Sequence, residues 1–325
     1  MVAKRRLGIV GCGAVVQSNY LKALAYYPEI HLARVTDLNP DAAARAALTS
    51  GATISSYEEI AADCQIVIIA TPPASHAELV EGLLADGRTV ICEKPFVGTG
   101  ADAARLAALA HDRQSNLFVA HFRRCIPSVR LGRALIASGV LGAVTRLSAY
   151  EGGRFSWQAE SSYVYKDPYG GVLFDTGSHT LDMLLYVACM DTGDLDVTSA
   201  DTQRDCPEPS NDLEAHVSLS RGGREIPAHI KLSRVTTTSN KILVECENGF
   251  IELPVGLANY VRLGSREGPA VIVRARESYA DLMDCFALQL KAMFFPDDEA
   301  TFSADKFINL SKVLESVGNA SRDEA

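Results

Sequence analysis

The sequence predicts an α/β chain of two domains. The first, over residues 1–122, is a doubly wound parallel sheet; the second, over 123–325, ends in an antiparallel or mixed sheet. Three observations predict this. Short apolar runs alternate with helical patterns through the first third of the chain, which is the rhythm of βαβ units. From about Phe122 that rhythm changes, and after Met190 strand patterns follow one another across the turns Gly222-Gly223 and Asn248-Gly249, as antiparallel neighbours do. A length of 325 residues with 47% hydrophobic and 22% charged residues suits two packed cores.

Residues 7–10 (LGIV) are apolar or glycine throughout, as expected of a strand buried on both faces. Gly11 and Gly13 break the run, and a helical pattern starts at Val15 with Tyr20, Leu21 and Leu24 on one face. Strand, glycine turn and helix in that order give a dinucleotide fingerprint its meaning. Gly11 permits the tight turn and Gly13 lets the backbone approach a pyrophosphate. The helix start at Ala14, Val15 and Val16 offers N–H groups to the phosphates. Val16 stands where the pattern has its third glycine, which implies a slightly wider approach of helix to strand. The strand 31–36 ends at Asp37, about 20 residues past the glycines as the fingerprint requires. A carboxylate there accepts from a ribose diol and repels a 2′-phosphate. No Arg or Lys follows in 38–40, which favours NAD over NADP.

The elements continue in order. An Ala-rich helix covers 41–48, with a short strand near Thr53 and a small helix at 57–61. The apolar run 66–70 is another buried strand, stopped by Thr71-Pro72-Pro73 because proline cannot extend a ladder. Helix 74–85, strand 88–92, helix 101–111 and strand 117–121 complete the first sheet. Ligands of such sheets bind beyond the carboxyl ends of the strands. Gly11, Asp37, Thr71, Glu93 and His121 all fall there, so one cleft can collect them. The second domain opens with helix 127–138 and strand 144–151, then an irregular aromatic stretch, 153–169. A strong helix, 172–190, precedes strands at 195–203, 213–220, 226–235, 241–247, 249–254 and 270–275. Amphipathic helices at 279–294 and 304–317 close the chain.

A net charge of −9 argues against nucleic acid as the main partner, and no apolar run is long enough to span a membrane. The N-terminus runs into the first strand without the apolar stretch of a signal peptide. Eight cysteines without a C-x-x-C pair read as reduced thiols, so a cytoplasmic location is expected.

Three elements carry chemistry: Glu93-Lys94-Pro95, the pair Arg123 and Arg124, and Asp175-x3-His179-x2-Asp182. Asp175 and His179, four apart, share a helix face. An imidazole titrating near neutrality can take a proton from an alcohol, and Asp175 can raise its basicity. The Lys94 ammonium, past a strand end, can hold the hydroxyl and stabilise a developing alkoxide. Three groups on one helix are a thin basis for a metal site, and none is expected. Asp182 reads as a structural carboxylate capping nearby backbone. His76, after the proline pair, is either structural or a cofactor contact. Arg123 and Arg124 either bind substrate or form ion pairs. Phe155, Trp157, Tyr163, Tyr165 and Tyr169, with Lys166, either wall a sugar site or pack their own loop. His31, His111, His216 and His229 are given no role.

These residues, taken in order from the glycines through Asp37, T-P-P-x-x-His76, Glu93-Lys94-Pro95 and Arg-Arg-x-x-Pro to Asp175-x3-His179-x2-Asp182, resemble the Gfo/Idh/MocA oxidoreductases over nearly the whole chain. Val16 and His121-Phe122 differ from what its members often carry. The resemblance implies a Rossmann domain, a C-terminal α/β domain on a large open sheet, and a C-terminal helix returning to the first domain. It also implies a homodimer or homotetramer packed through that sheet. Lys94, Asp175 and His179 would be the catalytic residues. Thr71, Pro72, His76, Glu93 and Lys94 would join the glycine turn and Asp37 around NAD. Arg123, Arg124, Trp157 and Tyr163 would join the catalytic residues around a sugar, cyclitol or sugar derivative. The expected activity is hydride transfer between NAD and a hydroxyl or keto carbon. Two rivals are an NAD-using glycosidase that oxidises and eliminates, and a non-catalytic sensor of NAD or sugar.

Overall fold

A parallel ladder through the first apolar run organises the computed structural model, which describes residues 4–155, 167–205, 210–265, 268–296 and 301–320. Strand β1 (Arg5–Val10) lies between β2 (Ile30–Thr36) and β4 (Ile66–Ile69), parallel to both. With β3 (Thr53–Ile54), β5 (Thr89–Glu93) and β6 (Leu117–Ala120) it forms a six-stranded sheet in the order β3-β2-β1-β4-β5-β6. This is the doubly wound Rossmann sheet. Its strand order reverses between β1 and β4, which opens a crevice past their carboxyl ends. Gly11 is required there twice over. Its φ is +89°, and a Cβ would lie 2.6 Å from the Ala70 carbonyl.

The element after the glycines is less regular than its pattern suggests. Val16–Tyr20 is a π turn, followed by single turns at Leu21–Ala23 and Leu24–Tyr26. Tyr20 is fully buried, edge-on to Phe286 at 4.8 Å.

The second sheet has eight strands: β7 (Val144–Gly152), β8 (Asp196–Arg204), β9 (Asp212–Arg221), β10 (Arg224–Ser233), β11 (Lys241–Cys246), β12 (Gly249–Pro254), β13 (Tyr260–Ser265) and β14 (Val271–Arg274). Their order is β14-β13-β12-β11-β7-β10-β9-β8, antiparallel except for β7 beside β10. Sequence patterning misses β13, whose Gly264 and Arg262 interrupt the apolar alternation. Along β9, Leu213, Ala215, Val217 and Leu219 are buried while Glu214, His216 and Ser218 face outward, the two-residue period of a one-sided sheet. Through β7 and β11 the buried face of the sheet packs on the helix Ser178–Val187. The last helix, Ile308–Ala320, packs on Gly100–Asp112 of the first domain, where Glu315 accepts from the Gly100 N–H at 2.9 Å. No helix among the described residues is long and apolar enough to cross a membrane.

Candidate active site

One cleft of about 1200 Å³ runs from the β1–β4 crevice to the second domain. It brings together Gly11, Gly13, Ala14, Val15, Asp37, Thr71, Pro72, Glu93, Lys94, Arg123, Asp175 and His179. A Cβ added at Gly13 would meet nothing within 4 Å, so the backbone there is open to the cleft. Asp37 accepts from the Cys12 and Asn39 N–H groups, which anchors its carboxylate at the crevice rim. Lys94 and Arg123 are the cations of the described cleft lining. Lys94, past β5, stands three strands from Asp37, about 14 Å at ordinary strand spacing.

Lys94 leaves β5 with its N–H on Glu93 Oε2 (3.0 Å), and Glu93 Oε1 accepts from the Tyr20 hydroxyl (2.8 Å). Burial pushes the Glu93 carboxyl up against the opposing pull of Tyr20 and Lys94. The Lys94–Pro95 bond is cis. The ammonium reaches across to the second domain, 2.7 Å from Asp175 Oδ1 and 3.3 Å from the Asp175 carbonyl. Asp175 sits in a π turn, Leu173–Gly177, ahead of the α-helix Ser178–Val187. The single regular helix expected over 172–190 is thus interrupted at the site, where such widened turns recur.

Two expectations about the imidazole are corrected. Asp175 spends its carboxylate elsewhere: Oδ1 on Lys94 and Oδ2 on Arg234 Nη2 at 2.6 Å. Burial alone would raise its pKa, but these two cations bring it below the usual carboxylate range. His179 does not titrate near neutrality in the free protein. Burial, then the charges of Lys94 and Arg123, push it well below its ordinary value, so it is neutral at physiological pH. Its Nδ1 is enclosed without a hydrogen-bond partner among the described residues. The ring meets Phe122 and His121 edge-on, at 5.4 and 5.8 Å.

Four other residues lie outside the cleft. Val16 is fully buried and packs in the core. His76 is fully buried between carbonyls, with Nδ1 3.0 Å from those of Pro95 and Phe96 and Nε2 2.9 Å from Thr71. It ties the loop after β4 to the loop after β5. His121 is fully buried and stacked on Phe307. Arg124 is also fully buried, paired with Asp182 (Nη2–Oδ1 2.6 Å) and Asp191 (3.4 Å). Asp182 is therefore an ion-pair partner, not a backbone cap. Arg123 and Arg124 part company because adjacent residues of a single tight turn, Phe122–Cys125, point in different directions. Arg123 faces the cleft in a bidentate pair with Glu151, at 2.7 and 2.9 Å. Trp157, Tyr163, Tyr165 and Lys166 lie outside the described residues.

Sequence reasoning missed Arg234 and Glu151, both at strand ends. Arg234 is nearly buried, with its guanidinium over the Phe155 ring at 4.5 Å. It also missed Leu282, Met283 and Phe286 of the helix Leu282–Phe294, which wall one side of the cleft. An arginine closing an otherwise alternating strand is the one signal that could have found Arg234.

Burial pushes the His121 imidazole down to about 4. Its folded pKa lies below the unfolded value of about 6.5, so the unfolded chain binds more protons as pH falls through 6.5. Stability is therefore lost on acidification. From this residue we expect about 2 kcal/mol less stability at pH 5 than at pH 7.5. Urea unfolding of the wild type and of His121→Gln at the two pH values checks it; the same pH dependence in both would contradict the neutral, enclosed imidazole.

The sheet order, the glycine crevice and the carboxylate at its rim define a two-domain protein of the dinucleotide-binding class. The particular family follows from comparison. The oxidoreductase family GFO_IDH_MocA, described as an NAD-binding Rossmann fold, matches residues 5–121, and that family's C-terminal domain matches residues 129–252. The chain belongs to this family. It is 30% identical over 203 residues to the rhizopine catabolism protein MocA of Rhizobium meliloti, covering 61% of each chain. To dTDP-3,4-didehydro-2,6-dideoxy-alpha-D-glucose 3-reductase of Streptomyces violaceoruber it is 32% identical over 187 residues, 54% of this chain and 52% of that one. The chain thus spans between half and two thirds of the length of these curated relatives. An inositol dehydrogenase homologue from Azotobacter vinelandii, solved with NADH and myo-inositol, shares the fold. Its TM-score is 0.78 at 18% identity, over 99% of this chain and 97% of that one.

Proposed function

We propose that this chain transfers a hydride between NAD and a hydroxyl or keto carbon of a sugar, cyclitol or sugar derivative, nucleotide-linked ones included. The observation that carries this is the meeting of Lys94 from the first domain with Asp175 and His179 from the second in one cleft continuous with the glycine crevice. The residues fit the cofactor: Gly13 leaves room for a pyrophosphate and Asp37 stands where a ribose diol binds. Bound nicotinamide supplies the hydride acceptor or donor.

Lys94 holds the substrate oxygen and stabilises charge developing on it. Asp175 and Arg234 fix the direction of that ammonium. His179, neutral in the free cleft, takes the hydroxyl proton on Nε2, the nitrogen we assign because Nδ1 is enclosed. A low imidazole pKa weakens the base but keeps it unprotonated at mildly acid pH. A polyol can also bond Glu151 and Arg123, which suits a substrate with several hydroxyls. The sugar and cyclitol classes are those named for the relatives above. Action in the cytoplasm, as a homodimer or homotetramer through the eight-stranded sheet, is part of the same reading, and light scattering tests the assembly.

A panel of cyclitols, sugars and their keto forms, followed by NADH absorbance with NAD and NADP in parallel, tests the activity. Net NADH with at least one polyol is expected. Glycosidic cleavage without net NADH would select the eliminating glycosidase, and binding without turnover would select the sensor. Replacing Asp37 by Ala should raise the NADP-to-NAD ratio of kcat/KM about tenfold, from loss of a charge repulsion and ribose hydrogen bonds worth about 1.4 kcal/mol. An unchanged ratio would remove Asp37 from cofactor choice.

A further inference from the structure

We propose that the outward face of the eight-stranded sheet carries a site for one borderline divalent cation such as Zn²⁺, with Glu214, His216 and His229 as its ligands. Nothing in the proposed reaction uses these residues. Glu214 and His216 are two apart on β9, so they share a face of the sheet. His229 on β10 is the direct antiparallel partner of His216, and their rings are stacked at 4.6 Å and 4°. Two ligands at i and i+2, plus one across the ladder, is how a pleated antiparallel pair can aim three side chains at one point. One ligand atom from each of the three lies within 4.8 Å of the other two. Metal–nitrogen and metal–oxygen bonds of about 2.0–2.2 Å hold the ligand atoms of a tetrahedral ion about 3.4 Å apart, so binding must draw the three inward and turn the two rings out of their parallel stack.

The supporting contacts fit as well. His229 Nε2 is 2.7 Å from Glu214 Oε1, and its Nδ1 is 3.0 Å from the Tyr150 hydroxyl on β7. Metal-bound histidines characteristically use the second ring nitrogen on such a partner, which fixes ring and tautomer. Binding replaces the Nε2–Oε1 hydrogen bond with one bond from each atom to the metal. The imidazole proton then sits on Nδ1, facing Tyr150. Lys231 Nζ holds Glu214 Oε2 at 2.7 Å; it opposes a cation nearby but leaves Oε1 free for a monodentate bond. Two imidazoles and one carboxylate are the donor set of zinc and its neighbours rather than of calcium or magnesium, which take oxygen ligands. The fourth position is left to water. All three ligands come from one chain, so one metal per chain is expected whether or not a second copy covers this face.

Equilibrium dialysis of the full, tag-free chain against ZnCl₂, with metal read by atomic emission, tests this. One equivalent per chain is expected. His216→Ala and His229→Ala should each weaken binding at least 100-fold, Tyr150→Phe about tenfold, and turnover of the polyol substrate should be unchanged in all three. Co²⁺ should give intense tetrahedral visible bands in the wild type that both histidine variants lose. Zinc below one tenth of an equivalent at millimolar ZnCl₂, or binding unchanged by both histidine substitutions, would overturn the site.

Discussion

Replacing His179 by Ala is expected to lower kcat by on the order of 100-fold or more while leaving the Kd for NAD within about twofold. The magnitude is the usual worth of a positioned general base. Cofactor binding should survive because the glycine crevice and Asp37 follow β1 and β2 of the first sheet, whereas His179 lies on the helix Ser178–Val187 that packs on the second. The pH profile separates this from general damage. Burial, Lys94 and Arg123 hold the imidazole well below its ordinary pKa. The acid limb of wild-type kcat/KM in the oxidation direction should therefore lie below pH 6.5, and the variant should lack it. Stopped-flow turnover and fluorescence titration with NADH check both parts. Near-wild-type turnover would take His179 out of the mechanism.

Replacing Arg124 by Met is expected to cost about 4 kcal/mol of stability, the largest structural effect of any single change considered. The guanidinium is fully buried and satisfies Asp182 and Asp191 as well as the Thr301 and Lys306 carbonyls. It lies over the Phe307 and Tyr186 rings, at 4.0 and 4.7 Å. Removing one partner from such a network leaves buried carboxylates uncompensated, which typically costs 3–5 kcal/mol. Arg133 Nη1, at 2.8 Å from Asp191, can compensate Asp191 but not Asp182. Urea denaturation measures the loss. A change under about 1 kcal/mol would mean that Arg124 is not the keystone of this network.

These two residues mark what was legible in sequence. Local rules located His179, because spacing along one helix and the positions of strand ends are read from neighbours in the chain. The same rules placed Gly11, Asp37, Lys94 and Asp175 at the cleft; alternating strands and helices foretold the first sheet, and consecutive strands the second. They could not separate Arg123 from Arg124. Both are basic, adjacent and followed by the same proline; what divides them is Asp182 and Asp191 on one side and Glu151 on the other, far along the chain. Of the two readings open for His76, its burial between carbonyls fits the structural one, and His121, at a strand end, turns inward for the same reason. A strand end can carry a ligand contact, but whether its side chain turns outward depends on what packs behind it. Arg234 was passed over because its importance rests on long-range contacts with Asp175 and Phe155. The π turn at Leu173–Gly177 was hidden too, since no residue type signals it.

The most direct test follows a deuterium label from substrate carbon to nicotinamide. A substrate found in the polyol panel is labelled at the reacting carbon and incubated with NAD, and the reduced cofactor is weighed by mass spectrometry. The account predicts one deuterium per turnover on the nicotinamide and a primary isotope effect on the hydride step, with turnover collapsing in both Lys94→Met and His179→Ala. Deuterium lost to solvent, or product formed with the cofactor unreduced and unlabelled, would contradict it.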